Sequence, residues 1–133
     1  MYHNNKSSED YLETILLLKQ KMGNVRSIDI VNETGYKKSS ISVAMKKLRE
    51  NNCITVDNDG FLELTEKGYE IAKNVYEKHS CLKNFFIKIG VDPEIASEDA
   101  CKIEHEISDE TFLCIKNLYS TLIENNDWFK LFL

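Results

Sequence analysis

No stretch of this 133-residue chain stays apolar for the roughly 20 positions that a membrane-spanning helix requires. Its opening, MYHNNKSSED, lacks the apolar segment of a secretory signal. A cytosolic protein without a membrane partner is therefore expected. CxxC pairs are absent too: Cys53, Cys81, Cys101 and Cys114 are widely and unevenly spaced, which suggests neither a disulfide framework nor a zinc knuckle and predicts reduced thiols. The chain shows no internal repeat, low-complexity tract or Ser/Gly linker, so any domain boundary must fall inside a structured element. With 42% hydrophobic residues, one compact domain or two small ones can bury a core.

The net charge of −5 argues at first against a nucleic-acid partner, but the average hides a split. Residues 92–133 hold 10 acidic and 3 basic side chains, leaving 12 acidic and 14 basic in residues 1–91. Within the first part, KKSSISVAMKKLR carries Lys37, Lys38, Lys46, Lys47 and Arg49 and no acid. That local excess of cations is what phosphate binding requires.

Caps and periodicity give the organisation. Ser7 or Ser8 precedes EDYLETILLLKQKMG, whose Tyr11, Leu12, Ile15, Leu16 and Leu18 make a broad apolar stripe and whose Gly23 is a natural stop. Ser27 is read as the cap of a short helix, IDIVNETG, ended by Gly35. A third helix over about residues 38–51 repeats apolar residues at Ile41, Met45 and Leu48. The period then changes: CITV and FLEL are strand-like runs joined by Asp57-Asn58-Asp59-Gly60, which suits a hairpin turn. Thr65 caps a long helix running to Gly90, with an apolar face at Ile71, Ala72, Val75, Leu82, Phe85 and Phe86. Asp92-Pro93 opens a helix over about residues 93–106, and Ser108 caps DETFLCIKNLYSTLI. The closing DWFKLFL is apolar enough to be expected to dock.

Three helices, a hairpin and a long helix are the order of a winged helix-turn-helix. The expected fold is mainly α: an N-terminal winged helix with a small β-hairpin wing over residues 1–70, then an all-α domain over residues 71–133, with the boundary inside the shared helix. The third helix would enter a major groove of double-stranded DNA. Ser39, Ser40 and Ser42, beside Lys37 and Lys38, can bond phosphates or base edges, while Lys46, Lys47 and Arg49 suit the backbone. A Lys-rich helix face is often merely solvated; the hairpin that follows it favours the DNA reading.

ACKIEHEIS raises a different chemistry. On a helix Cys101, Glu104 and His105 fall within one arc. They are either an ordinary buried thiol with a surface pair, or metal donors. Asp10 and Glu13 stand one turn apart at the start of the first helix, and His79 sits among apolar neighbours in the long one. Such acids usually complement the helix dipole, and such a histidine is usually a hydrogen-bonded core residue. A carboxylate from the first helix beside Cys101, Glu104 and His105 would make an oxygen, nitrogen and sulfur set for a first-row transition ion.

Here the residues resemble the diphtheria toxin repressor and manganese transport regulator family of metal-dependent transcriptional regulators. The resemblance runs over about residues 8–119, through SSEDYLETI, SSISVAMKKL, LTEKG, Lys78-His79 and, most specifically, DACKIEHEISDE at residues 99–110. It implies a regulatory metal site on Asp10, Cys101, Glu104 and His105, with Glu13 and His79 helping to hold a neighbouring ion as in manganese-type members. The chain departs from both branches. Cys101 stands where the manganese type has a bridging glutamate, and Asp10 where the iron type has methionine. Lys83 and Ser97 replace the glutamate and histidine of the iron-type ancillary site. The length matches the short branch, which lacks an SH3-like domain.

The implied function is a repressor of metal-uptake genes, activated for operator binding by Fe(II) or Mn(II). An ion joining Asp10 to the acidic half would favour one arrangement of the two halves. Homodimerisation is implied for the region from the end of the long helix through the last helix. Phe85, Phe86, Ile89, Phe112, Leu113 and Ile115 could supply that interface or equally the monomer's core. Carboxylate and imidazole suit Mn(II) or Fe(II), whereas a thiolate shifts preference towards Fe(II), Co(II), Ni(II) or Zn(II); Fe(II) is the ion expected first, with Mn(II) close behind. An enzyme is not expected, because HExxH, a nucleophile and an oxyanion nest are all missing. The nearer alternative is a winged-helix regulator that does not sense metal, answering an organic ligand or a protein.

Overall fold

The computed structural model describes residues 8–124; the apolar DWFKLFL segment and the possible cap Ser7 lie outside them. The chain divides into two compact units, the first ending at Val75 and the second starting at Tyr76. The first contains α1 (Ser8–Met22), α2 (Ser27–Thr34), α3 (Lys38–Glu50), β1 (Ile54–Val56), β2 (Leu62–Leu64) and the start of α4 (Glu66–Lys88). The second contains the rest of α4, α5 (Pro93–Ile103) and α6 (Asp109–Glu124). The fold is mainly α, with a winged helix-turn-helix as the first unit and helices alone in the second.

In the first unit, α1 buries Leu12, Ile15, Leu16 and Leu18 against Val25, Ile30, Ile41, Met45, Leu48, Ile54 and Leu62. Its one buried polar side chain, Thr14, bonds back to the Asp10 carbonyl at 2.9 Å and so leaves no unpaired group in the core. Gly23 ends the helix at φ 82°, its N–H bonded to the Lys19 carbonyl at 3.0 Å. α2 corrects one expectation: Ser27 is its first residue, not its cap. The Asp29 carboxylate reaches back to the Arg26 N–H at 2.8 Å; a carboxylate in the first turn also complements the dipole, so the serine is not needed there.

α3 buries the Ile41, Met45 and Leu48 picked out by their spacing. It closes through Asn52 in the left-handed region (φ 61°), with Cys53 N–H on the Leu48 carbonyl at 2.9 Å and Asn52 N–H on that of Arg49 at 3.0 Å. Cys53 therefore belongs to the helix exit, and the antiparallel ladder starts one residue later, pairing Ile54 with Leu64, Thr55 with Glu63 and Val56 with Leu62. In the hairpin loop the Asp57 carboxylate accepts the N–H groups of Asp59 and Phe61, each at 2.9 Å.

The first turn of α4 is clamped onto the exit of α3. Thr65 accepts the Gly68 N–H at 3.1 Å and donates its hydroxyl to the Asn52 carbonyl at 2.6 Å, while Lys67 bonds the Asn51 carbonyl at 3.0 Å. Gly68 is buried so closely against the Cys53 backbone that any Cβ there would collide with its carbonyl. Only glycine permits this approach.

The second unit is built on Leu82, Ala100 and Phe112, with Cys81, Phe86, Ile103, Ile107 and Ile115 packed around them. Asp92 caps α5 by accepting the Glu94 N–H at 3.0 Å, and Ser108 caps α6 by accepting that of Thr111 at 3.1 Å. α5 ends at Ile103, three residues short of the expected Glu106. Residues 104–106 form a turn, with the Glu106 and Ile107 N–H groups both on the Ile103 carbonyl, at 3.0 and 2.9 Å. The bond from Glu106 is of the tighter i→i−3 kind common in the last turn of a helix, and the chain leaves it for α6 at Asp109. No helix among the described residues is long and apolar enough to cross a membrane.

Candidate functional site

Two groups of polar side chains stand out, one in each unit. In the first, burial of Ile41, Met45 and Leu48 turns the opposite face of α3 to solvent. Lys37, Lys38, Ser39, Ser40, Ser42, Lys46, Lys47 and Arg49 are all exposed, and the first turn of α3 holds no acid. Val43 interrupts this face at 55% exposure. The sequence reading passed it over, although its position two residues after Ile41 already takes it off the buried arc. Ser27 and Ile28 at the start of α2 share with Lys38 and Ser42 of α3 a shallow cavity of about 200 Å³. Beside them Arg26 places its guanidinium carbon 4.3 Å over the centre of the Phe61 ring, in the hairpin loop. No sequence pattern flagged that pair, because its members lie far apart in the chain.

The second unit brings together His79, Glu104 and His105. His79 lies on α4, and the other two on the turn after α5. Glu104 is 2% exposed. Its two carboxylate oxygens are taken separately, one 2.9 Å from His79 Nδ1 and the other 3.3 Å from His105 Nε2. A surface role for Glu104 is thereby excluded: burying a carboxylate is costly unless each oxygen has a donor, and here two imidazoles supply them. Glu104 follows α5 directly with helical dihedral angles (φ −60°, ψ −27°) and its N–H on the Ala100 carbonyl at 3.0 Å, so it keeps the helical spacing from Cys101. His105 lies in the turn that follows. Cys101 sits half-buried in the last turn of α5.

Asp10 and Glu13 occupy the beginning of α1 in the first unit, both half-buried. Burial raises the neighbouring Tyr11 phenol above its ordinary range, and Tyr36 and the Asp10 carboxylate add to the rise. In the second unit Lys78, next to His79, pairs with Asp109 at 3.2 Å and lies 6.0 Å from the Phe112 ring centre. Lys83 and Ser97 are half-buried. None of the four cysteines is in a disulfide, and burial lifts the Cys81 thiol against the opposing pull of Lys116. Of the apolar residues weighed for an interface, Phe86, Phe112 and Ile115 belong to the core. Ile89 and Leu113 are exposed, and Phe85 packs against Phe86 and Tyr119 with ring centres 6.0 and 6.5 Å away.

A nearly dry carboxylate flanked by two imidazoles offers oxygen and nitrogen donors that suit a divalent first-row ion. The residues of the second unit therefore fit a metal.

Residues 65–126 match the family described as "Iron dependent repressor, metal binding and dimerisation domain". The chain is 36% identical over 107 residues to an uncharacterised HTH-type transcriptional regulator of Methanocaldococcus jannaschii, covering 79% of this chain and 86% of that one. It is 32% identical over 121 residues to the HTH-type transcriptional regulator MntR of Lysinibacillus sphaericus, covering 91% and 87%. Among solved structures it is similar to the manganese regulator SloR, with a TM-score of 0.77 and 23% identity over 87% of this chain. It spans 54% of the SloR chain, about half its length.

Proposed function

The chain belongs to the diphtheria toxin repressor and manganese transport regulator family of metal-dependent transcriptional regulators, and on that premise we propose that it is a cytoplasmic, metal-activated repressor of metal-uptake genes. The observation that carries this reading is the buried Glu104 carboxylate held between His79 and His105, in a protein whose other unit presents a helix face rich in exposed lysine and serine, with no acid in its first turn. The DNA-binding domain is residues 1–70, and residues 71–133 form the metal-binding and dimerisation domain.

Asp10, Cys101, Glu104 and His105 are the ligands of the regulatory ion, and Glu13 and His79 serve a neighbouring one. Fe(II) or Mn(II) is the ion, and when bound it supplies the positive charge that lets carboxylates and imidazoles converge without repulsion. The manganese named for the similar regulators supports this choice. The chain's residues do the rest. Asp10 belongs to the first unit and Cys101, Glu104 and His105 to the second, so shared coordination selects one arrangement of the units from the apo ensemble. Glu104 orients both imidazoles. Ser39, Ser40 and Ser42 approach base edges and phosphates of a double-stranded operator, while Lys37, Lys38, Lys46, Lys47 and Arg49 bind its backbone. A homodimer, using exposed apolar residues of the second unit such as Ile89 and Leu113, sets two α3 helices on a two-fold operator. No catalytic step is assigned.

The test is fluorescence anisotropy of a duplex from an enriched random pool, first with EDTA and then with anaerobic Mn(II) or Fe(II). Metal is expected to tighten binding by about 5-fold to 150-fold. Binding of equal strength in EDTA would leave a winged-helix regulator without a metal sensor.

A further inference from the structure

The first unit carries a cation that the recognition-helix reading does not use. Between residues 54 and 64, the hairpin ITVDNDGFLEL has no lysine or arginine and three acids, Asp57, Asp59 and Glu63. Asp57 is consumed by the loop's own N–H groups and Glu63 by Lys19 at 3.0 Å. Asp59 stays exposed near the tip. A wing with this charge repels a phosphate backbone. The cation next to it comes from outside the hairpin: Arg26, exposed, stands over the Phe61 ring at 4.3 Å.

We propose that Arg26 is a DNA-phosphate contact, positioned by Phe61, which does for this wing what cations of its own cannot. The proposal rests on the DNA-binding reading above. Three observations carry it. The residues that follow Arg26, Ser27 and Ile28, border the same cavity as Lys38 and Ser42, so Arg26 flanks the face that meets DNA. Its backbone N–H is already satisfied by Asp29 at 2.8 Å, which fixes the Cα from which the side chain leaves. Finally, an aromatic ring under a guanidinium occupies its face, and the N–H groups around its edge remain able to bond phosphate in a fork. Holding the side chain over Phe61 also lowers the rotamer entropy lost on contact. A phosphate contact carries no sequence information, so its loss weakens all duplexes alike.

The experiment uses the full chain with Mn(II) and a fluorescent mixed-sequence duplex, with affinity followed from 50 to 200 mM salt for wild type, Arg26→Gln, Arg26→Lys and Phe61→Leu. One phosphate contact contributes a log–log slope of about 0.9. Arg26→Gln is therefore expected to reduce the slope by about 0.9 per subunit, so that its deficit relative to wild type shrinks about 3-fold per subunit over that range. Arg26→Lys keeps the slope, and Phe61→Leu loses affinity in part with Arg26 still present. A folded Arg26→Gln protein with the wild-type slope overturns the proposal, because a pair that only braces the hairpin lowers melting temperature and leaves counterion release unchanged. Wild type that binds no duplex at all overturns the DNA reading with it.

Discussion

The two units satisfy their buried polar groups by opposite means. In the first, Thr14 bonds the carbonyl one turn back in its own helix, so the group was paired as soon as α1 formed. In the second, Glu104 depends on His79, 25 residues earlier in the chain, and on its neighbour His105. The first unit is thus a body whose interior is held by apolar contact. The second keeps a small apolar core beside a charge whose partners hold it only while the α4 helix and the α5 turn stay in register. A scaffold for reading DNA and a device for sensing an ion call for these two kinds of interior.

Truncating the first core tests that contrast hardest. Leu12→Ala is expected to lose about 2–5 kcal/mol in urea unfolding, by the same amount with EDTA or Mn(II); a cost that depends on metal would break the distinction. Gly68→Ala follows, at about 3 kcal/mol, since the new Cβ meets the Cys53 backbone carbonyl and not a yielding side chain. Circular dichroism melts would read it, and a neutral outcome would mean that the clamp between α3 and α4 can open freely. For the second unit, Mn(II) at a hundred times its Kd is expected to add about 2.7 kcal/mol to wild type and nothing to Glu104→Gln. A Glu104→Gln protein stabilised as strongly as wild type would remove Glu104 from the site.

Much of the first unit was legible in the sequence. The spacing of Ile41, Met45 and Leu48 gave the buried face of α3, and with it the exposed one. Thr65 and Ser108 do cap the helices they precede, because a hydroxyl three residues before an unpaired N–H is a local matter. What stayed hidden was what depends on distance or competition. Ser27 lost its capping role to Asp29 within the same turn. The end of α5 at Ile103 has no glycine or proline to announce it. Neither the burial of Glu104 nor the placing of Arg26 over Phe61 follows from any pattern shorter than the fold. The donors of ACKIEHEIS could be suspected from residue type; that the carboxylate would be the hub between two imidazoles could not.

One small tie has a mechanical meaning. Lys19, near the end of α1, grips the wing twice, bonding the Leu62 carbonyl at 3.0 Å and the Glu63 carboxylate at 3.0 Å. The same helix touches α2, α3 and β2 and is bolted into the core by Leu12 and Ile15, while Asp10 sits at its opposite end. α1 is consequently a handle. A displacement of its body is handed on through Lys19 to the wing and through Leu12 and Ile15 to the core that α3 shares.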